Sequence, residues 1–303
     1  MRNTVKAALL MLGLLLGVPA LAQQVQQQSS LPPGILAFPS LWHIKGEQGE
    51  VYLLGSVHVL PPRVHWRSSP ITRALSRSTV YVFEVPQDEA AMGELNGLIQ
   101  AKGFLPPGET LRALLHPEAL ADYDAAVAAS GLQPAMIERV RPWLAGLQLM
   151  FAQISKLKFA ADNGVDAVLM ADAAKHRKPM RYLETVAEQF AVLAPDDRVL
   201  ELEEFESGLK DLRDMGREIE PMVRAWSTGN QAKLDELING DLDGFPEARK
   251  QLLDDRNQRW VPKIEAMLKE KRVFFVTVGA GHLTGANGLP ALLRRAGYRV
   301  DGP

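Results

Sequence analysis

Val273-Phe274-Phe275-Val276-Thr277-Val278-Gly279-Ala280-Gly281-His282 decides the fold class. Residues 273–278 are all β-branched or aromatic, with no polar alternation. That is the pattern of a strand covered on both faces, as in an α/β sheet flanked by helices. The strand runs straight into a Gly-x-x-His. The same arrangement stands near the other end of the chain, where Val51-Tyr52-Leu53-Leu54 leads into Gly55-Ser56-Val57-His58. A glycine three residues before each histidine suits a tight turn, either because the backbone takes a positive φ or because another segment approaches closely. Both turns place an imidazole over the sheet edge, where open α/β sheets bind their ligands.

Working outward, residues 41–44 and 51–54 flank the polar turn Lys45-Gly46-Glu47-Gln48-Gly49 and read as a hairpin. Helical spacing over 71–76 precedes a buried strand over 79–83 that ends at Glu84. From about 110 to 157 the chain is predicted helical, with Pro117 in a first turn, Gly131 closing one helix and Pro134 opening the next. This stretch reads as an insertion or lid. A further βα-like unit follows, with a helix over 166–175, a short strand over 180–183 ending at Glu184-Thr185, and renewed helical periodicity over 186–193. Three amphipathic segments, about 196–214, 219–239 and 246–270, lead back to the 273–278 strand. A helix over 290–296, a cap at Gly297 and an edge strand over 298–300 complete the chain. The predicted fold class is therefore α/β: a mixed sheet core with a helical insertion or lid, in a single domain over 41–303.

At the N-terminus, Arg2 and Lys6, an apolar run over 7–16 and Ala20-Leu21-Ala22 follow the order of a secretory signal peptide cleaved after Ala22. A periplasmic or secreted protein is expected. The apolar run falls short of the roughly 20 residues of a membrane span, and no later stretch reaches that length. Residues 23–40, Gln-rich and then Pro-containing, read as a flexible leader. Removing Arg2 and Lys6 leaves a net charge of about −4, which argues against a general nucleic-acid binder. The absence of cysteine excludes disulfides, thiol nucleophiles, thiolate metal sites and lipid attachment through cysteine. A metal must be held by His, Asp or Glu.

Four reactive side chains follow predicted strands: His58, Glu84, Glu184 and His282. If the strands are mainly parallel, the four converge. Two neutral imidazoles with one or two carboxylates suit Zn²⁺, Mn²⁺ or Co²⁺ better than Ca²⁺ or Mg²⁺, which prefer oxygen shells. Such an ion lowers the pKa of a bound water and polarises a carbonyl, with a remaining carboxylate as base. The structural alternative is that each Gly-x-x-His is a common pattern and that each glutamate caps a following helix. His43 in a strand, His65 in a Pro-rich loop, His116 before Pro117 and His176 at a basic helix end read as structural or solvated. The acidic stretch 201–206 reads as a solvated helix face. Arg256-Asn257 lies in a charged helical stretch. The residue pattern favours an exposed face with i,i+4 ion pairs over an arginine reaching into the site to steady an oxyanion or orient a carboxylate. No Gly-x-Ser-x-Gly elbow, His-Glu-x-x-His helix, Walker loop or dinucleotide fingerprint is present.

Taken in order, Tyr52-Leu53-Leu54-Gly55-Ser56-Val57-His58, Val82-Phe83-Glu84, Asn163-Gly164-Val165-Asp166, Leu183-Glu184-Thr185 with Gln189, Trp226-Ser227-Thr228-Gly229-Asn230, Arg256-Asn257 and Val278-Gly279-Ala280-Gly281-His282 resemble the TraB/GumN (PrgY, TIKI) family. The resemblance implies an α/β core in which two halves each donate a Gly-x-x-His, related to the erythromycin-esterase and ChaN-like folds. It implies metal-dependent proteolysis supported by Mn²⁺ or Co²⁺, as in the TIKI branch, with His58, Glu84 and His282 at the metal. Glu184 as base and Arg256 at the oxyanion are the implied neighbours. The expected function is an exported metal-dependent hydrolase, a peptidase acting on a peptide or protein. A metal-independent His/Glu esterase or amidase, and a non-enzymatic peptide- or haem-binding protein, are the alternatives.

Overall fold

The computed structural model describes residues 34–242 and 246–303. The expected signal peptide and the leader up to residue 33 lie outside the described residues. The elements run β1 (Ile35–Leu36), β2 (Leu41–Lys45), β3 (Glu50–Ser56), β4 (Val64–His65), α1 (Ser69–Arg77), β5 (Val80–Phe83), α2 (Glu89–Lys102), α3 (Leu120–Ser130), α4 (Pro142–Lys156), α5 (Val165–Lys175), β6 (Met180–Tyr182), α6 (Val186–Leu193), α7 (Arg198–Ser227), α8 (Gln231–Ile238), α9 (Asp255–Leu268), β7 (Val273–Gly279), α10 (Leu289–Arg295) and β8 (Val300–Asp301), with short helical turns between them.

The main sheet has the order β6-β5-β7-β3-β2-β8. Its first four strands are parallel neighbours, whereas β2 runs antiparallel to β3 and to β8. The mixed sheet and the α/β class are thus as the sequence predicts. Alternate side chains of the central strands enter two separate cores. Tyr52, Leu54, Tyr81, Phe83 and Phe275 face one, and Val51, Leu53, Val80, Val82, Phe274, Val276 and Val278 face the other. The second core is closed by Trp260, Ile264, Met267 and Leu268 of α9 and by Leu289 and Leu293 of α10. Helices cover both faces, which is why the strands carry apolar residues without alternation.

The helical middle, α3 and α4, packs with α7 on the first core's side. Gly131 ends α3 in the left-handed conformation, φ 73°. Two expectations give way here. The segments read as 196–214 and 219–239 are divided elsewhere: α7 runs through Pro221 and stops at Ser227, ahead of Gly229 with φ 65°. The acidic stretch 201–206 is solvated only in part, with Glu203 exposed and Glu201 buried. Glu201 is 2% exposed and accepts from Arg141 Nη2 at 2.6 Å and from the Trp143 backbone N–H at 3.0 Å, because the start of α4 docks on it.

Order also extends ahead of residue 41. Residues 35–36, within the stretch read as leader, pair in parallel with β4, Ala37 is buried, and the N–H groups of Ala37 and Phe38 donate to His65 and Ser227 carbonyls. No helix among the described residues is long and apolar enough to cross a membrane.

Candidate functional site

Because β6, β5, β7 and β3 are parallel, their carboxyl ends share one edge, and the residues that follow them meet there. His58, Glu84, Glu184 and His282 are all buried, and Arg256 joins them from the first turn of α9. Arg256 and Asn257 are each 1% exposed, so the exposed ion-paired face favoured for this pair does not exist. Arg256 shares the buried face of α9 with Trp260 and Ile264 at helical spacing, and a π-helical turn, Lys250–Asp254, immediately precedes that helix. Such turns re-aim the residues that follow and free backbone carbonyls. Here the Leu252 carbonyl accepts from Arg256 Nη1 at 3.2 Å.

Arg256 is the hub. A guanidinium has five N–H donors, and five acceptors meet them: Glu184 Oε2 on Nε at 3.1 Å, Glu184 Oε1 and Glu84 Oε2 (2.6 Å) on Nη2, and His282 Nε2 (3.0 Å) and the Leu252 carbonyl on Nη1. Burial opposes its charge, but Glu84 and Glu184 outweigh that and hold its pKa above the ordinary arginine value. With its donors committed in this way, Arg256 holds two carboxylates and an imidazole in fixed positions. The Gln189 amide bridges the same two carboxylates, donating to Glu84 Oε2 at 3.2 Å and to Glu184 Oε1 at 3.1 Å. Glu84 also accepts from the Gly279 N–H at 2.6 Å, so the strand that carries one Gly-x-x-His holds the glutamate of its neighbour. Neither glutamate caps a helix: Asp88 caps α2, and Thr185 caps α6 in a capping box with Glu188. Burial raises the Glu84 pKa, with Arg256 and His58 pulling it back.

The two histidines have different partners. His58 Nδ1 lies 2.7 Å from Asp166 Oδ2, and both side chains are buried. A carboxylate oxygen accepts, so Nδ1 carries the proton and Nε2 presents the lone pair. His282 Nδ1 lies 2.7 Å from Asn257 Oδ1, and the Asn257 amide is oriented by its Nδ2 donating to the Asn287 carbonyl at 2.9 Å. Arg256 can only donate, so His282 Nε2 must accept, and the ring is neutral. Burial, then Arg256 and His58, hold its pKa well below the usual histidine value. The Trp260 ring packs against His282, centroids 4.4 Å apart, and the Arg256 guanidinium carbon lies 4.7 Å from the Trp260 ring centroid. His282 Nε2 is 4.0 Å from Glu84 Oε1.

The glycines of the first motif and of the α5 entrance work by close approach, not by positive φ. A Cβ on Gly55 would lie 3.1 Å from Ala280 Cα, and one on Gly164 would lie 2.1 Å from the His58 carbonyl oxygen. Trp226 Nε1 donates to the Gly55 carbonyl at 2.8 Å, tying α7 to the same turn.

Among the described residues no three His, Asp or Glu side chains stand as a ready metal shell. The donor chemistry nonetheless suits a divalent transition ion. Both imidazoles are anchored through Nδ1 to a side-chain oxygen, the arrangement that presets Nε2 as a ligand, and a carboxylate lies beside them. On His282 that ion and Arg256 Nη1 compete for one lone pair.

The structure joins Glu84, Glu184, Arg256 and His282 in one hydrogen-bonded cluster, with His58, bonded to Asp166, close enough to act electrostatically on Glu84 and His282. It gives contacts to Asp166, Asn257 and Gln189, which the sequence offers only as parts of the resembling motifs, and adds Trp260. The other histidines stay apart from the site: His43 pairs with Glu50 and stacks on Tyr52, His116 pairs with Glu206, and His65 and His176 are exposed.

Among curated proteins, the chain is 28% identical over 196 residues to an uncharacterized protein YbaP of Escherichia coli (strain K12), covering 63% of this chain and 70% of YbaP. It is 24% identical over 314 residues to the metalloprotease TIKI1 of Danio rerio, covering 86% of this chain and 62% of TIKI1. It is 20% identical over 311 residues to an uncharacterized protein of Treponema pallidum (strain Nichols), covering 96% of this chain and 91% of that protein. No solved structure gives a significant match. The TraB/PrgY/gumN family model matches residues 40–302, so nearly the whole described fold, with both Gly-x-x-His turns, is accounted for, and the chain belongs to the TraB/PrgY/gumN family.

Proposed function

We propose that this chain is an exported hydrolase of peptide or related acyl bonds, working at the strand-end cluster with a divalent transition metal held by His58, His282 and Glu84. The observation that carries this reading is the pair of buried imidazoles whose Nδ1 atoms are each tied to a side-chain oxygen 2.7 Å away. Similarity to a relative named as a metalloprotease supports it. When bound, the metal supplies a water of lowered pKa and a Lewis acid for the scissile carbonyl.

The chain's own residues supply the rest. Asp166 and Asn257 fix the two tautomers. Arg256 and Gln189 hold Glu84 and Glu184 side by side. A carboxylate offers about four lone-pair sites, and Glu184 accepts from Arg256 Nε, Arg256 Nη2 and Gln189 Nε2, which leaves room to take the proton of an attacking water. The helical middle serves as cover, keeping bulk water from the cluster, and the core is grouped with the erythromycin-esterase and ChaN-like folds.

The Arg256–His282 bond favours a second reading, a metal-independent His/Glu hydrolase in which His58, oriented by Asp166, is the base. One experiment separates the two. Purified protein is analysed for metal and offered a peptide library with chelator, and with Mn²⁺, Co²⁺ or Zn²⁺ restored, alongside His58→Ala. Cleavage abolished by chelator, restored by metal and absent in the variant is expected. Chelator-resistant cleavage selects the second reading, and no cleavage under any condition overturns both.

A further inference from the structure

We infer that the surface cavity beside the His58 loop is a subsite for carboxylate groups of the substrate, so that the hydrolase proposed above prefers acidic peptides; the inference rests on that reading for its peptide ligand. The cavity holds about 350 Å³ and is lined by Arg63, His65, Trp66, Arg67 and Asn163 among others, within the size range of small-ligand sites. Its walls come from the two segments that carry the His58–Asp166 pair. The loop after β3 contributes His58 and then residues 61–67, and the entrance of α5 contributes Asn163 and then Asp166. Asn163 Nδ2 donates to the Leu60 carbonyl at 3.3 Å, and the Val165 N–H donates to the Val57 carbonyl at 3.2 Å, so the two segments are laced together between cavity and dyad.

The cavity is cationic in a chain that is acidic overall. Arg67 has one carboxylate partner, Asp172 at 3.6 Å. The side chains of Arg63 and His65 are exposed and make no ion pair or hydrogen bond among the described residues. Arg63 also takes a left-handed backbone conformation, φ 70°, which is unfavourable for a side chain of its size and concentrates at ligand-binding loops. The buried Trp66 indole lies under the Arg67 guanidinium, 5.4 Å from its carbon, and limits where that charge can point. Planar guanidinium forks beside an aromatic wall suit a carboxylate bound in bidentate fashion.

The test reads binding directly. Fluorescence anisotropy measures a labelled, acetylated and amidated peptide containing paired glutamates against its glutamine counterpart, with the wild type and with the double variant Arg63→Asn, Arg67→Gln. Asparagine tolerates the left-handed conformation. The wild type is expected to bind the glutamate peptide about tenfold more tightly, and the double variant to lose that preference. Absence of glutamate-peptide binding, a wild type that does not discriminate, or a preference that survives the double variant overturns the subsite. Hydrolysis without the preference defeats the subsite and leaves the hydrolase reading standing, and a charge-dependent preference without hydrolysis does the reverse.

Discussion

His58 and His282 follow the same four-residue motif at the ends of adjacent parallel strands, yet their surroundings differ in kind. His58 leans on a carboxylate, Asp166, and a negative partner on Nδ1 can support a positive ring. His282 leans on an amide, Asn257, packs against Trp260 and accepts from a guanidinium, and burial, then Arg256 and His58, keep its ring neutral. One imidazole is anchored by a charged side chain and the other by a neutral one. Equal motifs in sequence therefore mark equal positions in the sheet, while the chemistry of each imidazole is set by residues that belong to neither motif.

The hardest way to break this asymmetry is to remove the guanidinium. Arg256→Met leaves Glu84 and Glu184 buried without their cation, and the expected cost is about 3–5 kcal/mol of unfolding free energy, read from urea titrations. Arg256→Lys should recover only part of it, because one ammonium cannot reach both carboxylates and the imidazole in the same plane. A loss below about 1 kcal/mol for the methionine variant would show that the cluster is not the charge-paired core described.

Exchanging the anchors comes next. Asp166→Asn gives His58 the kind of partner His282 has, and metal affinity or catalytic efficiency should fall about 10- to 100-fold with the fold intact, as when other outer-sphere partners are removed. Isothermal titration with Mn²⁺ and steady-state rates check it. Unchanged values for both would make the Asp166 contact structural only.

The smallest effect is a pH dependence in the metal-free protein. The native His282 pKa is depressed, so below about pH 6.5 the unfolded chain takes up a proton that the native chain refuses. Its contribution is present in full above that pH and is lost as the pH falls, with a slope of at most about 1.4 kcal/mol per pH unit. Glu84, raised from 4.5 by burial, acts in the opposite sense. It favours the native state as pH falls into the window just above its ordinary value. The difference in urea midpoint between pH 7 and pH 5 should therefore shrink in His282→Gln. An unchanged difference would assign the slope to another group.

Much of this arrangement was legible from the chain. Strands over 51–54, 79–83 and 273–278 were readable because covering a sheet on both faces demands continuous apolar side chains. The four strand-end residues followed from the rule that ligands bind beyond the carboxyl ends of parallel strands. Arg256 pointed the other way. Its charged neighbours imitate an exposed helix, although it shares the buried face of α9 with Trp260 and Ile264 at helical spacing. Glu201 misled for a similar reason, since an acidic run gives no sign that one member will be covered by the start of another helix.

What the sequence determined by itself is therefore the local part: strands, turns, the two Gly-x-x-His positions and the mixed α/β class, each encoded in a short window of apolar periodicity and glycine placement. What only the tertiary structure decided is who touches whom. Asp166 reaches His58 across 108 residues and Arg256 reaches Glu84 across 172. No periodicity relates positions so far apart, because their meeting depends on the order in which strands are inserted into the sheet. The two matching motifs mark the place, and packing makes one histidine different from the other.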